Sequence, residues 1–203
     1  MSMKEAFDIY FARLKEYWQK EEGSYPKMYF DSCCHKHLTP LILKEFSKDE
    51  HGRSQWQPIA QTKPIDFEIL EKKLGFSIHQ SIKDYFSYFW FVRIEGWSHL
   101  WGYIWLNGVF PTIDILNQIN GGFEDGKDRH YLNDDIYFPI GGCDSESFFI
   151  NNRTGEVTAV IPYEQYSEHF SNSLENIIKN IFMYREDAEA MCKKCIYNGG
   201  IDN

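Results

Sequence analysis

One stretch of this sequence leaves the chain little choice of local fold. Ser147-Phe148-Phe149-Ile150 and Glu156-Val157-Thr158-Ala159-Val160 are two runs of apolar, aromatic and β-branched residues, and between them lie only Asn151-Asn152-Arg153-Thr154-Gly155. Turn-forming residues closed by a glycine between two such runs predict an antiparallel hairpin. Upstream, Ile136-Tyr137-Phe138-Pro139-Ile140 reads as a further strand, with Gly141-Gly142 as the turn that follows it. Ile94 to Leu106 mixes aromatic and β-branched residues with Gly96 and Gly102, the pattern of a strand pair interrupted by a bend. An antiparallel sheet is therefore expected, with the Phe148 to Val160 hairpin at its centre.

Helical periodicity brackets these strands. Phe7, Tyr10, Phe11, Leu14, Tyr17 and Trp18 recur at helical spacing, with charged residues opposite and Gly23 and Pro26 as stops. Pro64 and Asp66 open a short helix that Gly75 closes, and a third helix is expected from Ile78 to Phe89 with Ile82, Tyr85, Phe86 and Phe89 buried. Thr112 precedes a short helix that Gly121-Gly122 should end. Asn172 and Glu175 have capping-box spacing, so Leu174, Ile177, Ile178 and Ile181 should face the hairpin from a long last helix that runs on toward Cys195. Residues 24–63 lack clear periodicity and read as an irregular arm with short strands near Leu41 to Phe46 and Gln55 to Ile59, and residues 196–203 read as a frayed tail. The expected fold is a single α+β domain over residues 1–203, a central, largely antiparallel sheet packed against helices, with amphipathic helices at both ends.

Charge and cysteine usage narrow the function classes. A net charge of minus nine opposes binding to phosphate backbones, so no nucleic-acid partner is expected and a basic protein surface is the natural counterpart. The most apolar segment, Tyr85 to Ile94, is too short to span a bilayer and contains Arg93, and the sequence opens on an amphipathic pattern without a secretory leader. Five cysteines, an odd number, suit reduced thiols in the cytoplasm.

Signs of catalysis are few. Cys33-Cys34-His35-Lys36-His37 and the Cys192-x-x-Cys195 spacing together offer soft metal ligands, but adjacent cysteines diverge in regular structure and the second pair falls on an expected helix. Structural or partly buried thiols are the preferred reading, with no metal and no cofactor. Ser145 and Ser147 lack a nucleophile elbow, nothing ties Cys143 to a histidine, and the P-loop, dinucleotide, zincin and EF-hand signatures are absent. A protein without catalytic residues is expected.

The candidate partner-binding residues lie in one stretch. Glu124, Asp125, Asp128, Asp134, Asp135, Asp144 and Glu146 oppose only Lys127 and Arg129 between Gly121 and Glu146, which concentrates minus five of the net charge there. Just upstream, Trp97, His99 and Trp101 are large amphipathic side chains of the kind found at binding hot spots, although a sheet core could use them as well. The expected site is an acidic rim beside these aromatics, suited to a Lys- or Arg-rich surface.

Several motifs in order resemble one known family. They are Tyr17-Trp18 followed by Pro26, then Trp56-Gln57-Pro58, then Phe76-Ser77-Ile78-His79-Gln80-Ser81-Ile82-Lys83-Asp84-Tyr85-Phe86, then the strand-turn-strand ending in Thr154-Gly155-Glu156-Val157, and Asn172-Ser173-Leu174 before the last helix. The pattern resembles the SUKH superfamily, and within it the Syd proteins, which interact with the translocon subunit SecY. The resemblance implies an α+β docking domain without enzymatic activity: an immunity protein that neutralises a toxin domain by binding it or, alternatively, a protein that meets SecY cytoplasmic loops through an acidic concave face. Either role implies a bacterial cytoplasmic protein that reaches the inner face of the cell membrane only through a protein partner. The aromatic stretch Trp90 to Phe110 and the Cys-rich tail depart from the compact Syd pattern, which places immunity first.

Overall fold

The structure, a computed structural model, describes residues 1–29, 39–43, 48–127, 136–161 and 167–190, the side chains of 39, 127 and 167–172 excepted. Helix α1 (Met3–Glu22) begins at a capping box: the Glu5 N–H donates to the Ser2 hydroxyl, and the Ser2 N–H donates to the Glu5 carboxylate. It ends at Gly23, whose φ of 58° lets its N–H reach back to Gln19 and Trp18. Met3, Ala6, Phe7, Tyr10, Phe11 and Leu14 form its buried face. Strands β1 (Lys27–Met28) and β2 (Ser54–Gln55) pair with each other, a 3-10 turn covers Thr39–Leu41, and Ile42 bridges to Trp56. Of the two short strands expected of the arm, the one at Gln55 to Ile59 is split between β2 and a further strand that starts at Ile59; Leu41 lies in the 3-10 turn and residues 44–46 lie outside the described residues, while β1 falls where no strand was expected.

The main sheet has the order β3 (Ile59–Ala60), β4 (Phe89–Ser98), β5 (Gly102–Val109), β6 (Tyr137–Cys143), β7 (Ser147–Asn151), β8 (Glu156–Val160), β9 (Ser167–Ser173), and every neighbouring pair is antiparallel. The α+β class read from the sequence is the class observed. The β7–β8 hairpin forms as the turn chemistry demands, but β6 occupies the centre and the hairpin lies beside it. Phe7 and Phe11 of α1 meet Phe89 and Phe91 of β4 at ring separations of 5.3 to 5.8 Å, and this aromatic contact fixes α1 on the same face as α3 (Gln80–Ser87) and α4 (Ile115–Lys127). On the opposite face Tyr137, Phe149 and Val160 bury one another in a smaller cluster.

Four local expectations are corrected, each for a physical reason. The third helix stops at Ser87, before Phe89, because Gln61 captures its last carbonyls: the Gln61 N–H donates to Tyr88 O, and Gln61 Nε2 donates to Phe86 O and Phe89 O. Phe89 consequently opens β4. Gly121-Gly122 does not end α4, which continues to Lys127. A Cβ at Gly122 would stand 2.3 Å from the Phe138 ring, and one at Gly126 would stand 2.2 Å from Tyr137 O, so these glycines bring the helix onto β6. Gly141-Gly142 likewise lies inside β6 rather than in a turn, since a Cβ at Gly141 would come within 2.0 Å of Trp105 O.

The last correction concerns the C-terminal helix. Ser173, not Asn172, is the N-cap of α5 (Leu174–Lys179), which stops at Asn180 after six residues. Ile181 and Phe182 then leave the helix axis. Phe182 exchanges two 2.8 Å backbone hydrogen bonds with Trp97, and residues 185–190 are again helical. Gly96 permits this crossing, because a Cβ there would lie 2.6 Å from both Ile181 Cγ2 and Phe182 O. Leu174, Ile177, Ile178 and Ile181 are buried as expected, with α1 as the main helical neighbour of α5 in place of the hairpin. Helix α2 (Glu68–Leu74) stops at Gly75 as expected but opens later than Asp66: Phe67 is its N-cap, and Asp66 accepts the Glu68 N–H from the residue before that cap.

Among the described residues the upper half of β4 has no strand on its outer side, since β3 pairs there only with Phe89 and Trp90. Its exposed backbone groups are nevertheless satisfied. Glu95 N–H donates to the Tyr10 hydroxyl at 2.8 Å, that hydroxyl donates to Glu95 O at 2.9 Å, and Phe182 takes both groups of Trp97. An unpaired strand edge is a site for unwanted pairing, and here one tyrosine and one returning segment close it.

Candidate binding surface

Strand register decides which of the candidate residues can act together. Trp97 pairs with Tyr103, and Ile104 pairs with Cys143, so the β4–β5 turn and the β6–β7 turn emerge at the same end of the sheet. Trp97, His99 and Trp101 are thereby placed on the same end as Asp144 and Glu146. Trp101 turns inward: its ring lies 5.1 Å from that of Phe148 and packs on the core. Trp97 faces the other way, edge-on to Tyr103 at 5.4 Å with the Arg185 guanidinium 5.5 Å from its ring centre. Asp144 is exposed, while Glu146 is half-buried with its carboxylate 3.9 Å from Cys143 Sγ.

Two titrating groups sense this environment. Burial pushes the His99 imidazole below its ordinary value, and its Nδ1 is buried without a hydrogen-bond partner among the described residues. Burial, reinforced by the negative charge of Glu95, raises the Tyr103 phenol to about 12, so it stays protonated and able to donate at neutral pH.

The other acidic residues are placed differently. Glu124 and Asp125 are exposed on the last turn of α4, beside the start of β6, where Gly126 backs onto Tyr137. Strand β6 then runs its whole length before reaching Asp144, a separation of about 20 Å at the usual rise per residue. The described carboxylates thus form two pairs at opposite ends of β6. Asp128, Asp134 and Asp135 lie outside the described residues, as do Cys33, Cys34, His35, His37, Cys192, Cys195 and the tail at 196–203. Cys143, the free thiol among the described residues, is buried. No group of three or more potential metal-binding side chains occurs among the described residues, and no helix among them is long and apolar enough to cross a membrane.

Two concave features escaped the sequence reading. One is a groove of about 480 Å³ between α1 and residues 182–190, walled by Tyr17, Phe182, Met183 and Tyr184. Tyr17 was visible as part of the α1 periodicity, but Phe182 and Tyr184 looked like the continuation of a helix. The other, about 390 Å³, lies at the opposite end of the sheet, where His79, Ser81 and Asp84 meet Thr154, Gly155 and Glu156. There the two longest motifs of the sequence touch: Asn152 Oδ1 accepts the His79 N–H at 2.8 Å, and Asn152 Nδ2 donates to Ser77 O at 2.9 Å.

The family model described as Syd protein (SUKH-2) matches residues 4–97, which run from α1 through most of β4. Over that stretch the chain is Syd-like, in agreement with the motifs at Tyr17-Trp18, Trp56-Gln57-Pro58 and Phe76 to Phe86. No curated protein matches the chain.

Proposed function

We propose that this chain is a non-enzymatic, SUKH-type binding protein in the bacterial cytoplasm, an immunity protein that neutralises a toxin domain by holding a basic surface of it. The observation that carries the reading is the convergence of Trp97 and His99 with Asp144 and Glu146 at one end of the sheet, with Trp101 packed inward on Phe148. Carboxylates at a rim raise the association rate, and a Trp beside them supplies apolar contact. Glu124 and Asp125 contribute field from the far end of β6.

A growth assay tests this reading. Where a toxin domain is encoded beside the gene, co-production of the wild type should restore growth, and the Asp144→Asn, Glu146→Gln double variant should bind that domain with a slower on-rate and a weaker salt dependence. Each neutralised site should change stability by no more than about 0.5 kcal/mol. A wild-type on-rate at low salt removes the rim. The second reading, docking on the cytoplasmic loops of SecY, is favoured by the Syd family match over residues 4–97. It predicts salt-sensitive binding to inverted membrane vesicles enriched in SecY, with no protection against any neighbouring toxin.

A further inference from the structure

We infer that the groove between α1 and residues 182–190 receives a cationic side chain, a lysine or arginine carried on an extended segment of a protein partner. The walls are aromatic and close: the Tyr17 and Tyr184 rings stand 5.0 Å apart at 70°, with Phe182 and Met183 completing the floor. Such faces carry negative quadrupole potential and attract positive head groups: Arg13 already stacks over Phe182 at 5.4 Å and Lys20 over Tyr184 at 5.0 Å, so a guest's head group would meet the Tyr17 ring with its methylene stem covered.

Charge at the mouth points the same way. The groove contains two cations and two carboxylates, but their engagements differ. Arg13 donates to Lys179 O at 2.6 Å and to Ile181 O at 3.4 Å, and its guanidinium stacks 5.4 Å from the Phe182 ring centre. Lys20 hydrogen-bonds Tyr184 Oη at 3.3 Å and pairs with Glu21 at 3.9 Å. Glu16 and Asp187 hold no ion pair or hydrogen bond among the described residues, although the field of Glu16 reaches Lys20 one turn on. The cations thus hold the groove together, and the two exposed carboxylates on its opposite walls remain to meet a guest. A volume of about 480 Å³ exceeds one side chain and leaves room for the backbone that bears it. Arg185, which leads into this segment, also stacks on Trp97, so the groove adjoins the turn end of the sheet.

The inference rests on the protein-binding reading, yet its test needs no partner, so either can fail alone. The full chain is titrated with an acetylated, amidated Gly-Lys-Gly-Lys-Gly peptide and with its norleucine counterpart, while the Met183 methyl and Tyr184 ring resonances are followed by NMR. The lysine peptide should shift these signals, and the Glu16→Gln, Asp187→Asn double variant, altered only at exposed groups, should bind it about fivefold more weakly. Equal binding of the norleucine peptide overturns the proposal, because the groove would then be merely apolar. So does the absence of any shift at Met183 and Tyr184 at millimolar peptide. An unchanged affinity in the double variant overturns the role of the carboxylates and with it the cationic guest.

Discussion

The two ends of the main sheet are built on different terms. At the end where β7 turns into β8, side chains bond to backbone: Asn152 holds Ser77 and His79 from 75 and 73 residues away, Asn151 Oδ1 accepts from the neighbouring Arg153 and Thr154 N–H groups, and the His79 ring lies against Gly155. At the other end the tie is of another kind, the backbone bridge from Trp97 to Phe182, and the β4–β5 and β6–β7 turns beyond it carry half-exposed aromatics and carboxylates. Under the proposed function the first end is the lock and the second the display. The two longest motifs of the sequence meet at the lock, where they hold backbone, and they say less about the partner.

Substitutions at each end can break this contrast. Gly155 has a φ of 76°, and a Cβ there would lie 2.0 Å from His79 Cε1. Gly155→Ala should destabilise the protein by about 3 kcal/mol in urea unfolding through strain and overpacking together. A variant as stable as the wild type would mean that the two motifs are not pressed together. Asn152→Ala, which strands the His79 N–H and Ser77 O, should cost about 2 kcal/mol by the same measurement.

Paired tryptophan variants sharpen the comparison within the display end. Trp101→Ala removes a ring packed on Phe148 and should lower stability by about 2 kcal/mol, whereas Trp97→Ala should change it by less than about 1 kcal/mol and act on partner dissociation instead. Melting curves that reverse the order of the two would exchange their roles. The smallest effect concerns pH. The folded state disfavours protonated His99, so the unfolded chain takes up a proton first as pH falls below 6.5, the ordinary value of the imidazole. Stability contributed by His99 is full above that value and declines as pH falls toward the lowered folded value. The wild type should therefore lose slightly more stability than His99→Gln between neutral and mildly acidic pH, as followed by chemical denaturation. Parallel curves would show that the imidazole is solvated.

Much of the scaffold was legible in the sequence because it depends on local periodicity. The α1 face from Phe7 to Leu14, the Asn151 to Gly155 turn and the stop at Gly75 each follow from residues within a few positions. The errors share one cause. Gly122, Gly126 and Gly141 resemble local breakers, yet each serves a close approach to a strand or helix distant in sequence, which a local window does not contain. Phe182 keeps helical spacing with Ile178, and Tyr184 with Ile181, but the bridge to Trp97 overrides that pattern. Of the candidate surface, residue types were legible and grouping was not, because only the β5–β6 register brings Asp144 to the aromatic turn and leaves Glu124 and Asp125 at the far end.

The closure of the β4 edge has a temporal consequence. Tyr10 reaches Glu95 across 85 residues, and the bridge from Trp97 to Phe182 spans a comparable length of chain. As the polypeptide leaves the ribosome, Tyr10 can engage as soon as β4 appears, but the groups of Trp97 must wait until Phe182 has been made. For that interval a nascent chain carries a twisted ribbon with one raw border. Chains stalled or cleaved before residue 182 should accordingly be the species that stick to one another, and a chaperone that shields strands would be needed most in that window.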